Sequence, residues 1–235
     1  MSVAAQNAVD GMSSLIVLAG VPLLADSSGA LYWPEQGLLA VADLHLEKGS
    51  SFAARGQLFP PYDTAATLTR LGRLIAHYAP RVVVTVGDSF HDGGGPQRLV
   101  QADRDNLRGL QRGRDWIWIA GNHDPEPASN IGGRFHEAFT IGALTFRHVA
   151  TGTAGEVSGH LHPVARVVHR GRAVSRRCYA ADANRMVMPA FGAYTGGLNV
   201  RDAAFVDLFD TLKFTAHMLG EGRLYPFAAK RCLPD

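Results

Sequence analysis

The stretch Val82-Val83-Val84-Thr85-Val86-Gly87-Asp88 decides the fold, because it joins a run of β-branched residues directly to a glycine and a carboxylate. β-Branched side chains favour strands, and a continuous apolar run is typical of a strand buried on both faces of a parallel sheet. Open α/β sheets bind their ligands beyond the carboxyl ends of such strands. We therefore expect Asp88 to lie at the ligand-binding edge of a sheet.

Two further apolar runs, residues 38–42 and 116–120, end in the same way. The polar residues that follow them are Asp43, His45, Asn122, His123 and Asp124. Between the three runs, residues 62–78 and 97–112 show apolar side chains at the three- and four-residue spacing of amphipathic helices. A β-α-β-α-β series of this kind predicts parallel strands with right-handed crossovers.

Beyond residue 127 the helical pattern gives way to short apolar runs, which predict a largely antiparallel or mixed sheet packed against the first. The strands predicted there are residues 139–147, 156–158, 164–169, 186–188 and 203–209. The other segments are a frayed terminus at 1–12, strands at 15–18 and 29–33, a loop at 47–61 and an uninformative stretch at 212–233. No repeat or linker divides the chain, so we expect a single domain, residues 1–235.

Composition narrows the class of protein. With 235 residues, 46% hydrophobic, the chain is long enough to bury a large core. A net charge of +2 is weaker than the basic stripe of a dedicated nucleic-acid binder, and the arginine cluster at 166–177 is typical of a solvated surface. Two distant cysteines indicate a reducing compartment. Residues 14–25 are apolar but too short to span a bilayer, so we expect a soluble, cytoplasmic protein without a membrane partner.

One Asp-x-His pair and one His-x-His pair point to metal binding. Asp43 and His45 are two residues apart, as are His160 and His162, and on an extended strand end such side chains share one face. Carboxylate and imidazole together suit manganese, iron or zinc better than calcium. Each pair alone is typical of a turn or a surface. Their occurrence together with Asp88 at successive strand ends predicts a metal site.

The motifs in this order resemble those of the calcineurin-like metallophosphoesterase superfamily. The motifs are Asp43-x-His45, Gly87-Asp88, Gly121-Asn122-His123-Asp124, His148 and Gly159-His160-x-His162. A closer resemblance is to the bacterial PdeM group, described as ligase-associated DNA-damage-response endonucleases. The stretches that support it are residues 42–48, 87–92, 158–163 and 189–192.

The resemblance implies an α/β fold, a four-layer αββα sandwich of two mixed sheets, with two divalent metal ions. Manganese is the first expectation, with iron or zinc as alternatives. One ion would be held by Asp43, His45 and His162. The second would be held by Asn122, His148 and His160, and Asp88 would bridge the two. Two ions about 3.5–4 Å apart can share a hydroxide, the expected nucleophile.

The same resemblance implies roles for residues that are not ligands of the ions. His123 would protonate the leaving oxygen or hold the phosphate, and Asp124 would orient it. His91 lies in a motif similar to that of double-strand-break repair nucleases, where it would help Asn122 to position the substrate phosphate. Arg55, like Lys48, lies in the loop after the first motif and could meet phosphate. Two alternatives stay open. His91 would only support the ligands by hydrogen bonding, and Lys48 and Arg55 would be plain surface charges.

The leading function is therefore a metal-dependent phosphodiesterase that acts on nucleic acid, a nuclease in DNA repair. Its substrate would be a phosphodiester, with DNA expected, and DNA-repair proteins as partners follow from the resemblance alone. The alternative within the same fold is a phosphomonoesterase or a small-nucleotide phosphodiesterase, because the fold does not fix the substrate. A third hypothesis, a non-catalytic binding protein, is disfavoured by the complete set of ligands and by His123.

Overall fold

Two mixed β-sheets stack against each other in the computed structural model, which describes residues 13–57, 59–126, 130–210 and 212–235. The terminal segment 1–12, predicted to be frayed, lies outside these ranges. The strands of the first sheet, in spatial order, are β1 Ser13–Leu18, β2 Val21–Asp26, β3 Leu31–Trp33, β4 Leu38–Ala42, β5 Val82–Val86, β6 Asp115–Ile119 and β7 Arg134–His136.

The central strands of this sheet follow the predicted β-α-β-α-β series. β4, β5 and β6 pair in parallel, and Ala42 lies beside Val86, which in turn lies beside Ile119. The helices are α1 Lys48–Ala53, α2 Asp63–Tyr78, α3 Gly95–Arg98, α4 Gln101–Gln111 and α5 Ala203–Leu208, with a 3-10 turn at Ala229–Arg231. Because the strand ends are level, the residues that follow β4, β5 and β6 meet at one edge of the sheet.

The second sheet is built from the later part of the chain and branches at its longest strand. Its strands are β8 Ala138–Ile141, β9 Leu144–Arg147, β10 Glu156–Ser158, β11 Pro163–His169, β12 Arg172–Ala181, β13 Arg185–Val187, β14 Leu198–Asn199, β15 Thr215–Leu219 and β16 Leu224–Ala228. β12 pairs with β11 over its first half and with both β13 and β15 over its second half. β10 is parallel to β9 and β13, so this sheet is also mixed.

The core has three layers, one between the two sheets and one on the outer face of each sheet. Leu39 and Val83 of the first sheet pack against Leu71 of α2, whereas Ala40 and Val84 face the second sheet. The outer face of the second sheet is covered by α5, whose most buried aromatic side chain is Phe205, and by Phe209 and Phe214. The order is therefore helices, sheet, sheet, helix, and the predicted αββα sandwich is confirmed.

Several local predictions were wrong, each for a local reason. Residues 203–209, predicted to be a strand, form helix α5, because the side chain of Asp202 accepts a hydrogen bond from Ala204 N and starts the helix. The single helix predicted at 97–112 is divided into α3 and α4, since Leu99 and Val100 adopt extended backbone angles. The loop predicted at 47–61 contains the short helix α1.

Strands were also missed where the sequence carries no alternating pattern. Strand β2, which the sequence did not predict, contains Pro22 opposite Val17. The segment 212–233, which gave no signal, contributes the hairpin of β15 and β16. Among the residues that the structure describes, no helix has the length and apolarity needed to cross a membrane.

Candidate metal centre

The first part of the centre is formed by the turns that follow β4 and β5. Asp43 N donates to the carbonyl oxygen of Gly87 at 3.2 Å, and His45 N donates to that of Asp88 at 2.9 Å. These backbone bonds fasten the two turns to each other beyond the last paired residues of the strands. Asp43 and Asp88 consequently lie side by side, almost completely buried at 0% and 2% exposure.

The pairs Asp43/His45 and His160/His162 were predicted to lie on extended backbone, and this prediction was wrong. Asp43, His45, Asp88, His160 and His162 have φ values of 53°, 43°, 45°, 69° and 45°, in the left-handed region that non-glycine residues rarely adopt. A residue in this conformation costs roughly 1–3 kcal/mol and is retained only where its surroundings fix it. Such residues cluster at functional sites, so the backbone marks these five positions independently of their side chains.

The second sheet contributes histidines from the residues that follow β9 and β10. His148 comes directly after β9, and His160 comes two residues after the end of β10. His160 N donates to both oxygens of Asp43, at 3.1 and 3.2 Å, which joins the two sheets at the centre. A Cβ atom at Gly87 would overlap the ring of His148, so the glycine of the opening motif makes room for a histidine of the other sheet.

Asp43, His45 and His162 form the first group of adjacent donor atoms. His162 Nε2 lies 3.2 Å from Asp43 Oδ1 and 3.4 Å from His45 Nε2. These are the residues that the resemblance placed around the first ion, and the structure brings them together.

Asn122, His148 and His160 form the second group. Asn122 Oδ1 lies 2.8 Å from His148 Nε2 and 3.0 Å from His160 Nδ1, and the two imidazole nitrogens are 3.2 Å apart. The structure thus also brings together the residues that the resemblance placed around the second ion. Asn122 and His160 are exposed, so this side of the centre is open to solvent.

Asp88 lies between the two groups. Its Oδ2 is 3.7 Å from His45 Nε2 and its Oδ1 is 3.4 Å from His148 Nε2. Asp43 has a similar position, because its Oδ1 is also 3.7 Å from His148 Nδ1. Asp88 therefore has one carboxylate oxygen close to each group, and Asp43 is a second carboxylate close to both groups.

The protonation states of His45, His160 and Asp88 fit the binding of cations, whereas the burial of His148 is outweighed by its contacts with Asp88 and Asp43, which raise its pKa. Burial lowers the pKa of His45 to about 3 despite the nearby Asp88, so the imidazole is neutral at pH 7 and its contact with Asp88 is not an ion pair. Burial also lowers the pKa of His160. Although burial raises the pKa of Asp88, its hydrogen bond with His148 and its other contacts bring it down to about 2.

The donor set as a whole fits two divalent ions. It consists of two carboxylates, one amide oxygen and four imidazoles, a combination that suits manganese, iron or zinc. Within each group two imidazole nitrogens face each other, at 3.4 Å between His45 and His162 and at 3.2 Å between His148 and His160. At such distances two neutral imidazole lone pairs need a shared proton or a cation between them.

His123 reaches the centre without joining either group. Its Nε2 is 3.9 Å from Asp88 Oδ2, and its backbone N donates to Asp88 Oδ1 at 3.0 Å. Its Nδ1 lies 2.8 Å from the carbonyl oxygen of His91. Because a carbonyl oxygen only accepts, Nδ1 carries the proton and Nε2 faces the centre.

The structure places the carbonyl oxygen of His91, and not the carboxylate of Asp124, beside Nδ1 of His123. The carboxylate of Asp124 instead accepts a hydrogen bond from Phe90 N at 3.0 Å, and burial raises its pKa to about 7. Asp124 therefore holds the backbone that leads into His91.

His91 lies at the border between the ligands and the surface. Its Nδ1 is 3.4 Å from His45 Nδ1, and its ring stacks on that of His123 with centroids 5.2 Å apart. Burial lowers the pKa of His91 to about 4. With His45 and His123 it forms a third set of adjacent donor atoms, which the sequence analysis did not foresee.

Arg55 lies outside the cluster of donors, on the exposed segment that follows α1. Its Nη2 donates to Ser51 Oγ at 2.9 Å, and its guanidinium is 5.8 Å from the ring centroid of Phe52. Phe52 in turn stacks on His91 at 5.6 Å. The sequence analysis passed over Phe52. The signal that would have found it is its position four residues after Lys48, on the same face of a short helix.

Comparisons with known proteins agree with this geometry. The sequence profile of the calcineurin-like phosphoesterases matches residues 38–176, the part of the chain that holds all the predicted ligands. The crystal structure of a nuclease of Pseudomonas putida, named MPE, superimposes with a TM-score of 0.72 and 26% sequence identity. The alignment covers 92% of this chain and 100% of the nuclease. A search of curated proteins finds no match.

Proposed function

The chain belongs to the calcineurin-like phosphoesterase family, and on this premise we propose that it is a phosphodiesterase that cleaves DNA with the help of two divalent ions. The family supports metal-dependent hydrolysis of phosphoesters. The choice of a phosphodiester and of DNA is supported by the similarity to the Pseudomonas putida nuclease MPE and to the PdeM group. A role in DNA repair is part of the same proposal.

We assign one ion to Asp43, His45 and His162 and the other to Asn122, His148 and His160, with Asp88 shared between them. Bound at this centre, two divalent ions would activate water and neutralise the charge that develops on the phosphoryl oxygens. Manganese is the ion that we propose first, because the donors are mixed oxygen and nitrogen.

His123 is the proposed general acid. When water attacks phosphorus, the bond from phosphorus to the leaving oxygen breaks and that oxygen takes up a proton. The Nδ1 proton of His123 is engaged by the carbonyl oxygen of His91, so the ring presents Nε2 to the centre and a proton on Nε2 is directed at the leaving group. Its side chain is 39% exposed, so bulk water can restore the proton after each turnover.

His91, Asn122 and Arg55 are the proposed substrate contacts. His91 and Asn122 lie directly beside the donor groups, on the side that is open to solvent. Arg55 lies farther out, where it meets a phosphate next to the one that is cleaved. A single phosphate needs neither His91 nor Arg55, whereas a diester with two ester arms is oriented by them.

The observation that carries the proposal is the convergence of seven donors from both sheets, five of them in left-handed backbone, around one open edge. The test is hydrolysis of bis-p-nitrophenyl phosphate, p-nitrophenyl phosphate and a single-stranded oligonucleotide, with and without added manganese. We expect metal-dependent cleavage, a preference for the diester over the monoester, and loss of all activity in Asp43→Asn.

The matched control is Asp105→Asn, the same exchange at an exposed position of helix α4. It should leave each rate unchanged. A wild type that prefers the monoester and leaves DNA intact would favour the phosphomonoesterase. A wild type without metal-dependent hydrolysis of any of the substrates would contradict the catalytic proposal.

A further inference from the structure

An aromatic surface borders the metal centre on the side of helix α1. We define it by Phe52, Phe59 and Tyr194, and we propose that it stacks the bases of single-stranded DNA next to the phosphate that is cleaved. This inference rests on the proposed function and adds to it the form of the substrate and the residues that bind its bases.

The rings of this surface are continuous with those of the centre. His91 stacks on His123 with centroids 5.2 Å apart, and Phe52 stacks on His91 at 5.6 Å with an interplanar angle of 22°. Phe59 follows Phe52 at 4.8 Å, and Tyr194 lies 6.5 Å from Phe59. A nucleotide whose phosphate lies at the centre therefore has aromatic faces beside it along one direction of the strand.

The aromatic surface is accessible. Phe59 is 47% exposed, although a phenyl ring gains free energy by leaving water. Phe52 and Tyr194 are partly exposed as well. Stacking of a base on Phe59 would bury apolar area that the folded chain leaves in water. Aromatic faces accept any base, so such stacking carries little sequence preference.

Positive charge accompanies the rings, as a nucleic acid requires. Lys48 Nζ lies 5.9 Å from the ring centroid of Phe52 and donates to the carbonyl oxygen of Tyr194 at 2.9 Å. The guanidinium of Arg55 lies 5.8 Å from the same ring. Lys48 and Arg55 thus flank Phe52, where they can contact phosphates while the bases stack. This alternation of cation and ring is the usual arrangement in proteins that bind single strands.

The same geometry disfavours duplex DNA. In a duplex the bases are paired and stacked on one another, so their faces are not available to Phe52 or Phe59. A single strand, a flap or a gap presents free bases.

The decisive variant is Phe59→Leu, which keeps an apolar side chain at an exposed position and removes the ring. We expect kcat/KM for a single-stranded oligonucleotide to fall roughly 5- to 100-fold, the effect of losing one base–aromatic contact. Hydrolysis of bis-p-nitrophenyl phosphate should stay unchanged, because its rings are bonded directly to the phosphate that is cleaved, whereas Phe59 lies one ring beyond Phe52. The control is Tyr225→Leu, because Tyr225 is also exposed and also lies under an arginine, 4.6 Å from Arg223, but on β16 of the second sheet.

An abasic site moved along the oligonucleotide locates the stacked base. At one position it should slow the wild type by the same factor as Phe59→Leu, and it should have no further effect in that variant, since both changes remove one contact. Equal effects of the abasic site in wild type and variant would overturn the proposal.

Binding is measured separately with 2-aminopurine in an uncleaved oligonucleotide, whose fluorescence is quenched when the base stacks. Quenching by the wild type, and its loss in Phe59→Leu, support the aromatic surface even if DNA turnover fails, which would contradict only the proposed nuclease. Fluorescence that is unchanged by the wild type, or quenched equally by the variant, overturns the aromatic surface while leaving hydrolysis of the diester intact.

Discussion

The two sheets contribute different chemistry to the same centre. The residues that follow the strands of the first sheet supply every oxygen donor, from Asp43, Asp88 and Asn122, together with one imidazole. The second sheet supplies imidazoles alone, from His148, His160 and His162. The negative charge that attracts cations therefore comes entirely from the first sheet.

The two sets also differ in how they are held. Both carboxylates, Asp43 and Asp88, are buried and lie in turns tied together by backbone hydrogen bonds, whereas the second sheet contributes the buried His148 and the exposed His160. The backbone N of His160, however, bonds to the carboxylate of Asp43. The first sheet therefore sets the charge of the centre, and the second sheet completes the coordination. Exchanges on the two sides should consequently fail in different ways.

The largest effect is expected from Asp88→Asn on the first sheet. The amide has nearly the same size but no charge, so the attraction for both ions is lost. We expect turnover to fall by roughly 10³-fold or more, since groups that act on developing charge have effects of this order. The metal content of the purified protein, measured by mass spectrometry, should fall with it.

Asp105→Asn, exposed on α4, serves again as the control and should keep both metal and turnover. If Asp88→Asn bound two ions and turned over normally, the first sheet would not be the source of the binding charge. The comparison between the sheets would then fail.

The second-largest effect is expected from His123→Ala. His123 also follows a strand of the first sheet, but it is not an assigned ligand. Metal content should be retained. Turnover on DNA should fall roughly 10²–10⁴-fold, the range for a positioned proton donor. The loss should be much smaller on bis-p-nitrophenyl phosphate, because p-nitrophenolate leaves without a proton. Equal losses on both substrates would indicate phosphate binding in place of acid catalysis.

A smaller effect is expected from His160→Ala on the second sheet. Its imidazole is exposed, so water can take its place on an ion, and the carboxylates remain. We expect metal affinity to fall by at least about 10–100-fold, which is the range for residues that only support a metal ligand. Excess manganese should therefore restore most of the turnover. If excess manganese restored the turnover of Asp88→Asn but not that of His160→Ala, the second sheet would matter more for metal binding than the first.

The sequence predicted the first sheet better than the second, for a physical reason. The strands at 38–42 and 82–86 are buried on both faces, and the helix between them has one apolar stripe, so local periodicity specifies each element. The second sheet depends on pairing between distant segments, such as β12 with β15. Its short strands and the capped helix α5 carry little local pattern, which explains why residues 203–209 were assigned to a strand.

The identity of the candidate ligand residues was predictable from the sequence, but their backbone conformation was not. The resemblance to the metallophosphoesterases grouped Asp43 and His45 with His162, which lies more than a hundred residues away in the chain. It did not predict their left-handed backbone, because that conformation is imposed by bonds between turns. Nor did it predict the partner of Nδ1 of His123, since a backbone carbonyl such as that of His91 leaves no mark in a sequence.

The smallest effect on activity is expected from Tyr179→Phe, which tests whether the contact between the sheets is needed for the centre. The hydroxyl of Tyr179, on β12, donates to the carbonyl oxygens of Asp26 and Ala30 at 2.8 and 2.6 Å, and so joins the second sheet to the first. Both carbonyl oxygens also accept backbone hydrogen bonds, from Gly29 and Asp26, so neither is left without a partner.

We therefore expect the free energy of unfolding of Tyr179→Phe to fall by only about 1–2 kcal/mol, as for the loss of a buried hydrogen bond. Turnover per folded molecule should stay unchanged, because His160 N remains bonded to Asp43 at the centre itself. Urea unfolding measures the first quantity and bis-p-nitrophenyl phosphate hydrolysis the second. Tyr62→Phe, at a side chain 69% exposed, is the control and should stay within about 0.5 kcal/mol of the wild type. A loss of turnover in Tyr179→Phe without a matching loss of stability would show that the second sheet does more than complete the coordination. It would mean that the position of the second sheet on the first governs the geometry of the donors.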